Sequence, residues 1–227
     1  MAIPTKNLKV TSFTANRDMA ACLEFSEGYI KILSDQGFGN AYINKHDWMQ
    51  TEGVFGVLAE YNNEVIGGVM LFVPQKNENF PYEEVTGAPK KKKNVKSSTH
   101  PEGTAELFAL WHANHVAGWG LSYILLKAGL ALSVTLGIKK TLYLAAEFNL
   151  RLIDKLGFLP EIKNEAPITF IFQENTVKSK ITLYGFSCED AMFAGNQKME
   201  IKELASARNL HKIEIVLSRR LEIDYLI

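Results

Sequence analysis

The sequence predicts an α/β fold in which a mixed central sheet carries helices on both faces. The segment 65–73 is apolar at almost every position, which is typical of a strand covered on both sides. A strand, loop, helix, strand and helix then follow one another between residues 104 and 156, as expected of an α/β sandwich. The 227 residues are 47% hydrophobic, so a full core can be buried without disulfides or metals.

The N-terminal half begins with a predicted helix and continues with a β-hairpin. Apolar residues recur every three or four positions over 16–37, with Asn16 or Asp18 as the cap and Gly37 as the stop. The stretch that follows, up to Trp48, is predicted to be loop with a short second helix. The β-branched runs 53–60 and 65–73 flank an Asn pair, which favours a tight turn between two strands.

The segment 75–103 is rich in proline and polar residues, and we predict a long mobile loop there. It contains the run Lys90–Lys93, whose simplest interpretation is a solvated face of that loop. The alternative is that these lysines recruit an anionic ligand.

The second half alternates strands and helices. The pattern predicts strands over 104–112, 141–145, 168–172 and 180–186, and helices over 121–136 and 148–156. We therefore expect one domain over 1–186 followed by a C-terminal extension over 187–227, which is more charged and helical in pattern at 201–209. This extension caps the fold, swaps into the partner of a homodimer, or binds a substrate; the sequence does not choose.

The composition does not favour a nucleic-acid-binding or a membrane protein. Lys+Arg and Asp+Glu are both 25, and this zero net charge does not predict a nucleic-acid or anionic-membrane partner. The apolar segment 120–138 is long enough to span a bilayer, but Lys127 in its middle favours a helix buried against a sheet.

The two cysteines and the N-terminus predict a cytoplasmic protein. Cys22 and Cys188 are far apart and have no metal-ligand spacing, which indicates two free thiols in a reducing compartment. The first residues lack the basic-then-apolar order of a signal peptide. We also expect no metal site, because His112 and His115 lack a third ligand nearby.

The loop His115-Val-Ala-Gly-Trp-Gly120 is the most informative segment. Gly118 and Gly120 stand at the opening of a long predicted helix, where unpaired N–H groups and the helix dipole attract a pyrophosphate. Glycine lets the backbone approach phosphate oxygens closely. The loop is neither a dinucleotide fingerprint nor a P-loop. A plain structural turn is the alternative interpretation.

This loop resembles the acetyl-CoA motif of the GNAT N-acetyltransferase superfamily, Arg/Gln-x-x-Gly-x-Gly/Ala, with His115 in place of Arg or Gln. The segment Ile153-Asp-Lys-Leu-Gly-Phe158 resembles the second signature of that family, usually Tyr-Glu-Lys-Leu-Gly-Phe. The ordered set covers about 105–160 and extends to roughly 16–186. The resemblance implies a GNAT-like fold with acetyl-CoA, or another acyl-CoA, as cofactor.

The resemblance also implies where the cofactor binds. The backbone amides of 116–121 would hold the pyrophosphate, and the strands around 107–111 and 142–145 would splay to admit the pantetheine. Backbone groups at Leu110 and Trp111 would bind the thioester carbonyl. The complete predicted cofactor set is Leu110, Trp111, His115, Val116, Ala117, Gly118, Trp119, Gly120, Leu121, Ser122 and Asn149.

Glu106 and Tyr143 are the predicted catalytic residues. Glu106, at the start of a central strand, is placed to accept the proton of an attacking amine; the alternative is a carboxylate facing solvent. The family's usual acidic tyrosine falls at Ile153, so Tyr143 is a substitute acid unless its hydroxyl faces solvent. The usual cofactor-binding asparagine falls at Ala146, with Asn149 one turn later.

The sequence therefore predicts direct transfer of an acetyl group from coenzyme A to the primary amine of a small molecule or peptide. Two alternatives stay open: an acyl-CoA-binding sensor or scaffold without catalysis, and a long-chain N-acyltransferase acting on an amino acid or peptide. The anionic ligand that Lys90–Lys93 could recruit is a substrate or the 3′-phosphate of coenzyme A.

Overall fold

A ten-stranded mixed sheet forms the centre of the protein. The computed structural model describes residues 6–37, 46–75, 78–86, 102–174, 177–189 and 196–227. The strands are β1 (Lys6–Thr14), β2 (Val54–Tyr61), β3 (Glu64–Phe72), β4 (Thr104–His112), β5 (Lys140–Ala146), β6 (Leu159–Pro160), β7 (Ile162–Lys163), β8 (Ala166–Pro167), β9 (Thr169–Glu174), β10 (Val177–Ser187), β11 (Leu210–Val216) and β12 (Arg219–Leu226). The helices are α1 (Met19–Asp35), α2 (Pro81–Val85), α3 (Leu121–Thr135), α4 (Leu150–Leu156) and α5 (Asn196–Ser206).

The order of strands in the sheet is β11-β12-β1-β2-β3-β4-β5-β10-β6, and β9 pairs with β10. The pairs β1–β12 and β4–β5 are parallel, and the other pairs of this sheet are antiparallel. Strands β7 and β8 form a separate two-stranded ribbon.

Helices cover the two faces of the central strands. On one face α1 packs against β3 and β4, with Phe25 and Trp111 in its core. On the other face α3 crosses the same strands, and most of its residues are buried. The predicted mixed sheet with helices on both faces is therefore confirmed. β3 corresponds to the almost continuously apolar segment 65–73. Because helices cover both of its faces, nearly all of its side chains are buried and apolar.

Several predicted boundaries follow from local chemistry. The Asp18 side chain accepts a hydrogen bond from the Ala21 N–H at the start of α1, as a helix cap does. Gly37 follows the end of that helix in the left-handed conformation, with φ at +83°. Asn62 and Asn63 both have positive φ, which confirms the predicted hairpin between β2 and β3.

Two parts of the predicted element order were wrong. β1 was missed, although its Leu8 and Val10 alternate with exposed residues and are buried. The predicted loop 75–103 contains the short helix α2, because Pro81 occupies its first turn and the Glu83 carboxylate accepts a hydrogen bond of 2.9 Å from the Phe80 N–H. Residues 76–77 and 87–101 of that predicted loop, including Lys90–Lys93, lie outside the described residues.

The C-terminal residues continue the central sheet. α5 spans Asn196–Ser206 rather than 201–209, and the hairpin β11–β12 after it joins the sheet because β12 pairs with β1. The placement of a domain boundary at 186/187 stays a prediction.

Lys127 ties this C-terminal part to α3. Its side chain is fully buried, and its Nζ lies 2.5 Å from the carboxylate of Glu214 on β11 and 3.2 Å from Glu200 on α5. The Tyr225 hydroxyl donates a hydrogen bond of 2.6 Å to the same Glu214 carboxylate. A charge buried in this way needs such partners.

No described helix is long and apolar enough to cross a membrane.

Candidate active site

The sheet opens between β4 and β5. The two strands pair in parallel from Thr104 and Lys140 as far as Leu107 and Tyr143, and then separate. A bulge in β4 helps to bend it: Ala109 has a φ of +51°, and the register with β3 shifts by one residue there. The predicted splay of these strands is confirmed.

A cavity of about 250 Å³ occupies this opening. α1, α2, β4 and β5 all contribute to its walls. Among the residues that line it are Tyr29, Tyr82, Glu106, Leu110, Tyr143 and Leu144. It therefore joins both predicted catalytic residues and one predicted cofactor residue in one space.

The Glu106 carboxyl group is buried on the α1 face of the sheet. It is 1% exposed, so the alternative of a carboxylate facing solvent is wrong. Its Oε2 accepts a hydrogen bond of 3.1 Å from the Tyr82 N–H. Burial raises the pKa of this carboxyl well above the ordinary value, and the nearby Glu83 charge adds to the rise, while the Tyr82 N–H opposes it. A carboxylate of raised pKa is better suited to accept a proton from an amine.

Tyr143 reaches the cavity from the opposite face, where it packs against Phe158. Its side chain is 5% exposed, so a solvent-facing hydroxyl is excluded. Burial raises its pKa, and the neighbouring Tyr29 adds to this. Burial also raises the pKa of Tyr29, to about 12. Both hydroxyls therefore keep their protons at neutral pH, as a proton donor must.

The loop 115–120, which we call the phosphate loop after its predicted ligand, has left-handed backbone at two positions. Gly118 and Gly120 have φ values of +76° and +78°, and Gly120 is the N-cap of α3. A Cβ on Gly120 would overlap the Val216 side chain, whereas one on Gly118 would meet no atom within 4 Å. Glycine at Gly120 thus satisfies both the backbone conformation and the contact with β11.

Turns within the loop use some of the amides that were predicted to bind phosphate. The N–H groups of Val116, Ala117 and Trp119 donate to carbonyl groups three residues earlier. Among the amides of residues 116–122, those of Gly118, Gly120, Leu121 and Ser122 have no hydrogen-bond partner in the described part of the chain. The structure therefore narrows the predicted anion-binding donors to these four.

The side chains of Trp111, Trp119 and His115 do not line the cavity between β4 and β5. The Trp111 ring packs edge-on against Phe25 on the α1 face, and the contact of its backbone with the thioester stays a prediction. Trp119 is buried against Tyr61 and does not cover the cleft. His115 is exposed in a groove beside α1 that Glu24 and other carboxylates line, and its contact with phosphate stays a prediction.

The region after β5 matches the family pattern in part. Ile153 is buried in the core and has no proton to donate. Asn149 lies just before α4, and its side chain has no partner among the described residues. Its contact with a cofactor stays a prediction.

Cys22 and Cys188 form no disulfide, and burial raises the pKa of the Cys22 thiol to about 11, which makes it a poor nucleophile.

Tyr29 and Tyr82 were not singled out from the sequence. Each arrives at the cavity from a helix that is distant in sequence from β4. No local pattern marks them.

Solved structures share this fold. An acyl-CoA N-acyltransferase from Pseudomonas aeruginosa is similar over 79% of this chain and 99% of its own, at 10% identity and a TM-score of 0.56. An acetyltransferase of the GNAT family from Streptococcus pneumoniae is similar over 78% of this chain and 99% of its own, at 15% identity and a TM-score of 0.52. The CoA-dependent acyl-homoserine lactone synthase BjaI, solved with SAM and isopentyl-CoA, covers more of this chain: 88%, and 90% of its own, at 11% identity and a TM-score of 0.54.

The predicted GNAT fold is thus confirmed by structure. The sequence itself matches no family model. No curated protein matches it either.

Proposed function

We propose that this chain is an acyl-CoA-dependent N-acyltransferase that moves an acetyl group to a primary amine by direct attack. The supporting observation is the cleft between β4 and β5, where Glu106 and Tyr143 line one cavity. The phosphate loop follows β4 directly, with its four unpartnered amides at the start of α3. These are the parts that such a transfer requires.

Each group has a role in the proposal. The Gly118, Gly120, Leu121 and Ser122 amides hold the coenzyme A pyrophosphate at the positive end of α3. Glu106, directly or through water, accepts the proton that the amine loses as its nitrogen attacks the thioester carbonyl. A backbone N–H at Leu110, next to the bulge at Ala109, stabilises the negative charge that develops on the thioester carbonyl oxygen. Tyr143 protonates the departing thiolate.

The size of the cavity bears on the acyl group. Its volume of about 250 Å³ is below the roughly 300–1,000 Å³ of typical small-molecule pockets. A short acyl group is therefore favoured over a long chain. The acyl-homoserine lactone synthase that shares this fold was solved with isopentyl-CoA, so a longer acyl group is the second candidate. Competition between acetyl-CoA and a long-chain acyl-CoA separates them.

The acceptor is proposed to be a small molecule or peptide that carries the amine, and the two unpaired cysteines support a reducing, cytoplasmic setting. Isothermal titration with acetyl-CoA is the first test. We expect binding, and no binding at millimolar concentration would contradict the proposal.

Variants of the two catalytic residues test turnover in an assay of acetyl transfer to a panel of amines. Glu106→Gln should lower the rate by about 100-fold, the usual scale of general base catalysis. Tyr143→Phe should also lower the rate. Tyr184 pairs with Tyr143 from the neighbouring strand β10, and Tyr184→Phe should leave the rate unchanged. If all three variants bind acetyl-CoA and keep the wild-type rate, these assignments are wrong. If the wild-type chain binds acetyl-CoA and acetylates no amine, the sensor interpretation replaces transfer.

A further inference from the structure

The end of the β11–β12 hairpin touches the phosphate loop. A Cβ on Gly120 would overlap Val216 and would lie 3.8 Å from Cδ1 of Leu217. The hairpin therefore stands beside the first turn of α3, next to the amides of Gly120 and Leu121.

Two arginines follow the turn of this hairpin. Leu217 and Ser218 both have positive φ and connect Val216 to Arg219, which pair across the strands. Side chains of a cross-strand pair project from the same face of a sheet. Since Val216 faces Gly120, Arg219 shares the face that carries the start of α3.

Arg220 projects from the opposite face. Successive side chains along a strand alternate, and Arg220 pairs with Ile215, which is exposed on the face away from α3. The two arginines thus have the same charge and adjacent positions, but only one is directed to the side of the phosphate loop.

The hairpin is held in place relative to α3. Glu214, two residues before Val216, makes the buried contacts with Lys127 and Tyr225. Val216 itself is buried. The backbone that carries Arg219 is therefore fixed beside the loop, which reduces the entropy lost when its guanidinium binds a ligand.

Arg219 has no internal use for its charge. Its side chain is exposed, and within the described chain this side chain makes no ion pair and no hydrogen bond. Arginine presents a planar fork of N–H donors that matches phosphate oxygens in two parallel hydrogen bonds.

We propose that Arg219 binds a phosphate group of the coenzyme, so that the C-terminal hairpin completes the cofactor site. This rests on the proposed function, because the phosphate belongs to coenzyme A. The C-terminal hairpin is then part of the site.

The test measures the Kd of acetyl-CoA by isothermal titration for the wild-type chain, Arg219→Ala and Arg220→Ala at one fixed low salt concentration. For Arg219→Ala we expect Kd to rise roughly three- to tenfold, the scale of a partly exposed charge-assisted contact. For Arg220→Ala it should stay unchanged. Both side chains are exposed, and thermal melts check that both variants fold.

If the two variants change Kd equally, or neither does, the assignment of Arg219 is overturned while the proposed function stands. If the wild-type chain itself binds no acetyl-CoA, the proposed function falls and this inference falls with it. A second titration with 3′-dephospho-CoA identifies the phosphate. A contact with the 3′-phosphate makes Arg219→Ala silent toward this ligand, and a contact with the pyrophosphate leaves the full effect. Either result supports the assignment if the first titration does.

Discussion

Glu106 lies where the sheet begins to open, and its burial links its proposed role as a base to the stability of the fold. The folded protein holds the proton of this carboxyl to a higher pH than the unfolded chain does, since burial raises its pKa. The contribution to stability is therefore complete below the ordinary carboxyl range, and is lost as the pH rises toward the raised pKa. The group proposed as the base thus lowers the stability of the fold at neutral pH relative to acidic pH.

Glu106→Gln should remove this penalty. Glutamine keeps an acceptor for the Tyr82 N–H but does not ionise. We expect the free energy of unfolding of the wild-type chain to fall between pH 5 and pH 8 relative to the variant, with a slope of up to about 1.4 kcal/mol per pH unit. Urea unfolding of both proteins at several pH values measures it. Parallel curves would show that Glu106 does not titrate as its burial requires.

At this scale the sequence identified Glu106 and Tyr143, which line the cavity, but not the residues that surround them. Glu106 was found because it stands on a strand with a recognisable order of elements after it. The positive φ of Ala109, which bends β4, has no signal in an Ala residue. Tyr29 comes from α1, and only the packing of that helix on the sheet brings it to the cleft.

At the scale of elements, the start of α3 depends on two glycines with different roles. Gly118→Ala should cost about 1 kcal/mol of unfolding free energy, because alanine is strained in the left-handed region. Gly120→Ala has the same backbone strain and in addition forces its Cβ into Val216 on β11, which should cost roughly 1–3 kcal/mol more.

Urea unfolding of the two variants compares these costs. The difference between them isolates the contact between the phosphate loop and the C-terminal hairpin. Equal losses of stability would mean that Val216 moves away freely, and that the hairpin is not fixed beside the loop.

The elements of the sheet's centre were predictable because each is covered by a helix and shows this in its sequence. β11 and β12 do carry a period of two, with Leu221, Ile223 and Tyr225 buried in turn. The charged residues between these apolar positions obscured the alternation, so no strands were predicted there. The place of β12 beside β1 depends on contacts between residues more than 200 positions apart in sequence, for which no local pattern exists.

At the scale of the whole molecule, Lys127 joins the C-terminal strands to the helix that carries the phosphate loop. Its charge argued against a membrane span in the sequence. The structure gives it a different purpose, as the buried partner of Glu214. A buried pair is costly to break because the remaining charge has no water.

Glu214→Gln should therefore destabilise the chain by about 3–5 kcal/mol, because it leaves Lys127 buried with only the half-exposed Glu200. Glu203→Gln is the matched control: its partner Lys212 is close to the surface, and the loss should be below about 1 kcal/mol. Thermal or urea unfolding measures both. Equal losses would contradict the account of the Lys127 contacts as the anchor of the C-terminal hairpin.

The most direct test of the central claim is a crystal structure of the chain with coenzyme A. We predict the pyrophosphate against the amides of Gly118, Gly120, Leu121 and Ser122, with the pantetheine between β4 and β5 and its sulfur in the cavity that Glu106 and Tyr143 line. A coenzyme bound elsewhere, with this cleft empty, would contradict the account.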